Sequence, residues 1–157
     1  VLAAVRQDGR ALGGGSQALR GDRDVVLAAL RQNGLALEFA SEAFRAHREV
    51  VLTAVRQTGL ALWFSRLRAD RKVVFTALRT TGAALPFAAG GLSEDREVAL
   101  VAVRQDGLAL EFVSRALRGD RTVVLAAVQR SGAALQFAVG ELRSDRQVVS
   151  STIPWQI

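Results

Sequence analysis

The feature that most constrains this chain is its internal period. Glycine recurs at Gly9, Gly34, Gly59, Gly82, Gly107 and Gly132, in steps of 25, 25, 23, 25 and 25 residues. A second marker stands at Asp22, His47, Asp70, Asp95, Asp120 and Asp145, and an arginine follows each one: Arg23, Arg48, Arg71, Arg96, Arg121 and Arg146. Wherever both markers occur, the glycine comes twelve residues after the acid or histidine. A period of this length makes the chain a tandem array, in which each unit is understood only beside its neighbours.

Between the markers the chemistry repeats as well. The stretch Asp120-Arg-Thr-Val-Val-Leu-Ala-Ala-Val-Gln-Arg-Ser-Gly132 stands for the others. It reads as an α-helix with both ends signalled. Asp22, Asp70, Asp95, Asp120 and Asp145 are N-caps, where a carboxylate accepts a free backbone N–H and faces the positive end of the helix dipole. The six glycines are read as C-caps, each supplying the left-handed conformation that closes a helix. That closure predicts apolar pairs three residues inside and one residue beyond the helix end. Leu30 with Leu35, Val55 with Leu60, Leu78 with Ala83, Val103 with Leu108 and Val128 with Ala133 satisfy it, while Val5 faces Arg10.

After the glycine a second, shorter helix is predicted, as in Leu35-Ala-Leu-Glu-Phe-Ala-Ser-Glu-Ala-Phe-Arg45, with Leu37, Ala40 and Phe44 at helical spacing. Pro86, four residues past Gly82, requires this helix to begin at once. The continuous apolar run Val25 to Leu30 also suits a strand, but the caps, the alanines and the Arg-Gln ending favour a helix.

The fold expected is all-α, an α-solenoid of helix-turn-helix repeats about 25 residues long. The array divides into a partial repeat at 1–21, repeats at 22–46, 47–69, 70–94, 95–119 and 120–144, and a capping segment at 145–157. One copy holds too little apolar surface to offset the entropy of ordering it, so the copies must stack. Ser150, Ser151 and Thr152 give the last copy a polar turn, and Trp155 is expected to fold back onto the last interface or to meet a partner. Two residues are missing between Gly59 and Asp70, and Trp63 replaces the usual Glu or Gln. Deleting two residues within a helix rotates the downstream part of the chain by about 200°, so a bend is expected there. Trp63 either fills the gap or serves as a contact point.

The pattern D-R-x-V-V-L-x-A-V-R-Q-x-G-x-A-L-x-F-A-S-x-x-L-R resembles a tandem repeat catalogued as domain of unknown function 4116, common in some bacteria and in dinoflagellate algae. The resemblance runs from Val1 to about Val149. His47 in place of Asp, the shortened third copy and Gly13-Gly14-Gly15 in the first depart from it. It implies an α-helical repeat and carries no activity or functional residues. The algal occurrence, the arginine bias and a first residue that is not an initiator point to an organellar, plastid setting, with a leader removed or further copies preceding Val1.

Composition narrows the chemistry. The chain has no cysteine, so disulfides and thiolate metal sites are excluded. The longest uncharged run, Thr80 to Ser93, is too short to span a membrane, and the chain is expected to be soluble or peripheral. His47 is the only histidine, and the acids are caps or exposed helix positions such as Glu38 and Glu111. No carboxylate pair, nucleophile with a base, or phosphate loop is suggested. No catalytic residue, metal ligand or cofactor is therefore expected. The net charge of +6 suits nucleic acid, anionic lipid or an acidic protein. Arg31, Arg56, Arg79 and Arg104 fall in last turns, where the dipole welcomes a cation. The arginine after each cap sits where the dipole disfavours one. These six are expected to form a ladder, either pairing with acids of the adjacent copy or offering a basic rim to a partner. Two functions are compatible with these features. One is a protein-interaction scaffold or accessory subunit of a larger assembly. The other is single-stranded RNA binding, read through the residue before each glycine: Asp8, Asn33, Thr58, Thr81, Asp106 and Ser131.

Overall fold

The structure, a computed structural model, describes residues 2–152. The expectation for Trp155 lies outside the described residues. The α-helices are α1 (Leu2–Gln7), α2 (Gln17–Arg20), α3 (Arg23–Gln32), α4 (Glu42–Arg45), α5 (Arg48–Gln57), α6 (Arg71–Thr80), α7 (Arg96–Gln105), α8 (Arg121–Arg130) and α9 (Arg146–Ser150). Six-residue 3₁₀ helices alternate with the longer ones, at Gly9–Gly14, Gly34–Phe39, Gly59–Phe64, Gly82–Phe87, Gly107–Phe112 and Gly132–Phe137. Among the described residues there is no strand. The protein is an all-α repeat solenoid.

Each full copy contributes a ten-residue α-helix, a 3₁₀ helix and a short return segment. Helices α1, α3, α5, α6, α7 and α8 pack side by side in chain order, and the 3₁₀ helices form a second layer. Each α-helix also touches the 3₁₀ helix of its own copy and that of the preceding one. This sandwiching explains why the α-helix is apolar on more than one side. In α5, Val50, Val51, Ala54 and Val55 are fully buried, and Ala61 and Leu62 of the following 3₁₀ helix complete the same core. The pattern repeats with Val73, Val74, Ala77, Leu78, Ala84 and Leu85 in the next copy. Burial of each aliphatic side chain stabilises by roughly 1.5–3 kcal/mol, and it is shared between the contact with the copy's own 3₁₀ helix and the contacts with the neighbouring copies.

A single backbone hydrogen bond per copy ties the return segments together. The N–H of Ser41 donates to the Arg20 carbonyl at 3.0 Å, Arg66 to Arg45 at 2.8 Å, Ala89 to Arg68 at 2.9 Å, Ser114 to Ser93 at 3.1 Å and Val139 to Arg118 at 3.0 Å.

Three expectations are corrected by the structure. Gly9, Gly34, Gly59, Gly82, Gly107 and Gly132 are not left-handed C-caps. Among the described residues a positive φ occurs only at Gly90, Gly91 and Gly140. Each α-helix instead closes on the residue before the glycine. Asn33 (φ −150°, ψ 111°) donates its N–H to Ala29 O at 2.9 Å and then leaves the helix in extended backbone. Its Oδ1 accepts the Leu35 N–H at 2.9 Å and so starts the 3₁₀ helix. Glycine is needed for a different reason, close approach. A Cβ on Gly9 or Gly82 would lie 2.5 Å from the carbonyl oxygen of Ala29 or Ala102 in the next copy, and on Gly34, Gly59 and Gly107 it would come closer still to those of Ala54, Ala77 and Ala127. The α-hydrogen that takes its place faces that oxygen, a weak C–H···O contact repeated down the array.

The second helix is not one continuous α-helix. It is a tight 3₁₀ turn from Gly34 to Phe39, a break in extended backbone at Ala40, and the separate four-residue α4. Pro86 is accommodated as the exposed fifth residue of its 3₁₀ helix, whose dihedrals match the proline ring.

The two-residue deletion does not fall inside a helix. It shortens the return segment, where residues 65–70 contain no counterpart of α4. The inter-copy hydrogen bonds on both sides of it, Arg66 to Arg45 and Ala89 to Arg68, are retained. The stack of α5 on α6 and of Gly59–Phe64 on Gly82–Phe87 continues past it.

Candidate interaction surface

All the long α-helices run in the same direction, so their N-termini line one edge of the array and their C-termini the other. At the N-terminal edge the capping acids act as expected from their chemistry. Asp22 accepts the N–H groups of Asp24 and Val25, both at 3.0 Å, and Asp70 accepts that of Val73 at 3.1 Å. Asp95 takes those of Glu97 (2.9 Å) and Val98 (3.1 Å). Asp120 takes those of Thr122 (2.9 Å) and Val123 (3.0 Å), and Asp145 those of Gln147 (2.9 Å) and Val148 (3.0 Å).

The arginine ladder lies on these same carboxylates. Arg48 bonds Asp70 of the next copy at 3.1 Å, Arg96 bonds Asp120 at 2.8 Å, and Arg121 bonds Asp145 at 2.7 Å and Gln147 at 2.7 Å. Arg71 reaches both Asp95 and Glu97, and its guanidinium lies 4.9 Å from the Phe75 ring centroid. An adjacent carboxylate thus offsets the unfavourable dipole at each of these positions. Arg146 forms no ion pair among the described residues. The guanidinium groups stay about half exposed, so water and salt screen each pair and the ladder fixes register more than it adds stability.

The ladder holds the acids ionised. At Asp95 and Asp120 the guanidinium of Arg71 or Arg96 is the main cause of a carboxyl pKa below the usual range. At Asp70 burial opposes ionisation, and the Val73 N–H together with Arg48 outweighs it. The Arg121 guanidinium, helped by the Val148 N–H, takes Asp145 down to about 2.

His47 interrupts the series. It occupies the N-cap of α5 without capping it, and its ring meets Phe44 edge-on at 6.4 Å. Arg23, deprived of the usual acid, pairs with Glu49 at 2.7 Å. Glu49 and Glu97, two residues after the marker, are ladder members that sequence reasoning missed. The recurrence of acid at that position in Asp24, Glu49 and Glu97 was the available signal.

The outer surface of the 3₁₀ layer is different in character. Trp63 is 56% exposed and does not fill a gap left by the deletion. It stacks edge-to-face on Phe87 of the next copy, with centroids 5.0 Å apart. Leu60, Leu108 and Phe112 are exposed on the same layer.

Three of the residues before the glycines have engaged, half-buried side chains. Asn33 and Asp106 cap 3₁₀ helices, and the Thr81 hydroxyl accepts the buried Gly59 N–H at 3.1 Å. Among the described residues no group of His, Cys, Asp or Glu is arranged to hold a metal ion. No described helix is long and apolar enough to cross a membrane.

These features define a tandem helical-repeat protein whose copies are joined by caps, ion pairs and close backbone contact. The chain belongs to the family described as Domain of unknown function (DUF4116), whose model matches residues 1–45, 22–68, 47–90, 70–118 and 120–153. Four of these matches begin on a marker residue, Asp22, His47, Asp70 or Asp120, and each spans more than one copy. No match was found among curated proteins or solved structures.

Proposed function

We propose that this chain is a non-catalytic scaffold that mediates protein–protein contacts as an accessory or structural subunit of a larger assembly. The observation that carries the proposal is how its chemically active side chains are used. Most of the acids that acid–base chemistry would need are helix caps or ion-pair partners, while Asp24, Glu38, Glu94, Glu111 and Glu141 form no hydrogen bond or ion pair through their carboxylates among the described residues. What remains for a partner is two extended faces, one along the α-helices and one along the 3₁₀ layer around Trp63. Extended, regularly built faces suit contact with another macromolecule over several copies at once.

The RNA alternative has less support. It relied on side chains before the glycines, and three of these are half-buried and already engaged: Asn33 and Asp106 cap 3₁₀ helices, and Thr81 accepts the Gly59 N–H of the preceding copy. Purification of the native chain under mild conditions tests the proposal. A protein retained in a fixed ratio supports it. A chain that elutes alone, or one that retains polyuridine at low salt and releases it as salt rises, contradicts it.

A further inference from the structure

The ladder leaves a second set of arginines unexplained. Arg6, Arg31, Arg56, Arg79 and Arg104 occupy the same register in successive copies, in the last turn of α1, α3, α5, α6 and α7. All five are exposed. Among the described residues none of their side chains takes part in a hydrogen bond or ion pair, in contrast to the ladder. The ladder is electrically self-contained. Arg23, Arg48, Arg71, Arg96 and Arg121 face six carboxylates, those of Glu49, Asp70, Asp95, Glu97, Asp120 and Asp145. The excess positive charge of the chain therefore does not sit at the ladder. The unpaired row carries five positive charges, about eight residues and 12 Å of helix rise from the ladder arginines.

The α-helices that carry the row pack side by side in chain order. Packed helices lie about 8–10 Å apart, so the row presents one guanidinium at roughly that interval. An extended polypeptide in polyproline II geometry repeats every three residues, at about 9.3 Å. A carboxylate at every third residue of such a segment would meet one arginine per copy, and guanidinium pairs with carboxylate in a planar fork. The face beside the row is apolar and half-buried, with Leu27, Leu52, Phe75 and Leu100 one turn before Arg31, Arg56, Arg79 and Arg104. Its aromatic, Phe75, is half-buried and lies under the Arg71 guanidinium, 4.9 Å from the ring centroid, so it offers no open platform of the kind that holds unstacked bases. The exposed aromatics Trp63 and Phe112 belong to the 3₁₀ layer instead. Asp24 shares the groove with Arg6 and Arg31, so the attraction is strongest from Arg56 onward.

We infer that the arginine row is a docking track for an extended acidic protein segment that crosses the α-helices and bears a carboxylate at about every third residue. This rests on the scaffold reading and names the partner chemistry of that scaffold's α-face.

The test uses the full chain and labelled synthetic peptides in fluorescence anisotropy. One peptide is five Glu-Pro-Pro units, which places its outer carboxylates about 37 Å apart. A second has the same composition with the five glutamates contiguous, and polyuridine is the third probe. Expected is salt-sensitive binding of the first peptide that exceeds binding of the second. The combined variant Arg31→Gln, Arg56→Gln, Arg79→Gln and Arg104→Gln should weaken it about tenfold or more while keeping the helical circular dichroism spectrum. Arg56→Glu alone, at the centre of the row, serves if the fourfold variant does not fold, and should weaken it several-fold. Equal binding of the two peptides, binding unaffected by these substitutions, or tighter retention of polyuridine overturns the inference. If the wild-type chain and Arg56→Glu co-purify with the same native partner to the same extent, the row is overturned and the scaffold reading stands. If the wild-type chain retains no protein, both fall.

Discussion

Replacing His47 with aspartate should stabilise the protein, and the structure supplies the magnitude. At Asp95 and Asp120, the N-cap carboxylate accepts two N–H groups at 2.9–3.1 Å and receives an arginine from the preceding copy. At the start of α5 the imidazole makes no capping bond. Restoring a capping carboxylate contributes about 1 kcal/mol. The exposed ion pair with Arg23 adds about 0.2–1 kcal/mol. The existing bond from Arg23 to Glu49 need not be lost, because Arg71 bonds Asp95 and Glu97 together. His47→Asp should therefore gain about 1–2 kcal/mol. For a chain of this size each kcal/mol moves Tm by about 2–4 °C, so the transition should rise by roughly 2–8 °C at neutral pH. Thermal denaturation followed by circular dichroism measures it. His47→Asn separates the contributions, since it caps without charge and should recover only the capping share. A His47→Asp protein no more stable than the parent would refute the reasoning that caps and ladder act as one device.

Other perturbations probe different joints. Gly59→Ala should destabilise by at least about 1–3 kcal/mol, because its Cβ would collide with the Ala77 carbonyl rather than with a movable side chain; Gly14→Ala, where a Cβ meets nothing within 4 Å, should be near neutral in the same urea titration. Thr81→Val should cost about 1–3 kcal/mol by leaving the buried Gly59 N–H without its hydroxyl acceptor, and urea unfolding should show it. Stability should fall on acidification below about pH 4. Asp70, Asp95, Asp120 and Asp145 have lowered native pKa values, so their contribution is complete above the unfolded carboxyl pKa of about 3.9 and is lost as pH drops toward about 2, the value at Asp145. Denaturation across pH 2–6 should show this loss, and an Asp95→Asn variant should show less of it.

The fold was legible in the sequence because two of its signals have a single physical use. An aspartate ahead of Val-Val-Leu caps a helix, and period-25 spacing forces the copies to stack. The arginine after each cap was recognisable as anomalous, since it opposes the dipole, but its acids lie 22–26 residues away, and only packing shows which ones it meets. Glycine misled because one residue type answers two needs. It supplies positive φ or it removes a Cβ, and both place glycine at a helix end. The apolar pairs that supported the first reading have another origin. Leu30 and Val55 are apolar because they are buried between copies, while Leu60 and Leu108 are exposed on the 3₁₀ layer. The choice of 3₁₀ over α geometry after each glycine was hidden as well. It depends on an extended residue such as Asn33 and on close packing against the next helix, neither of which has a periodicity of its own. The place of the deletion before Asp70 is hidden for the same reason, because the sequence pattern does not separate the return segment at 65–70 from the helix before it.

Far-UV circular dichroism on a series of one, two, three and five copies, beginning with residues 70–94 alone, bears most directly on the whole construction. A lone copy should be largely unfolded in water, with a cooperative transition appearing at two or three copies and Tm climbing with each further interface. A single copy that melts cooperatively from a fully helical state would show that its stability does not come from its neighbours.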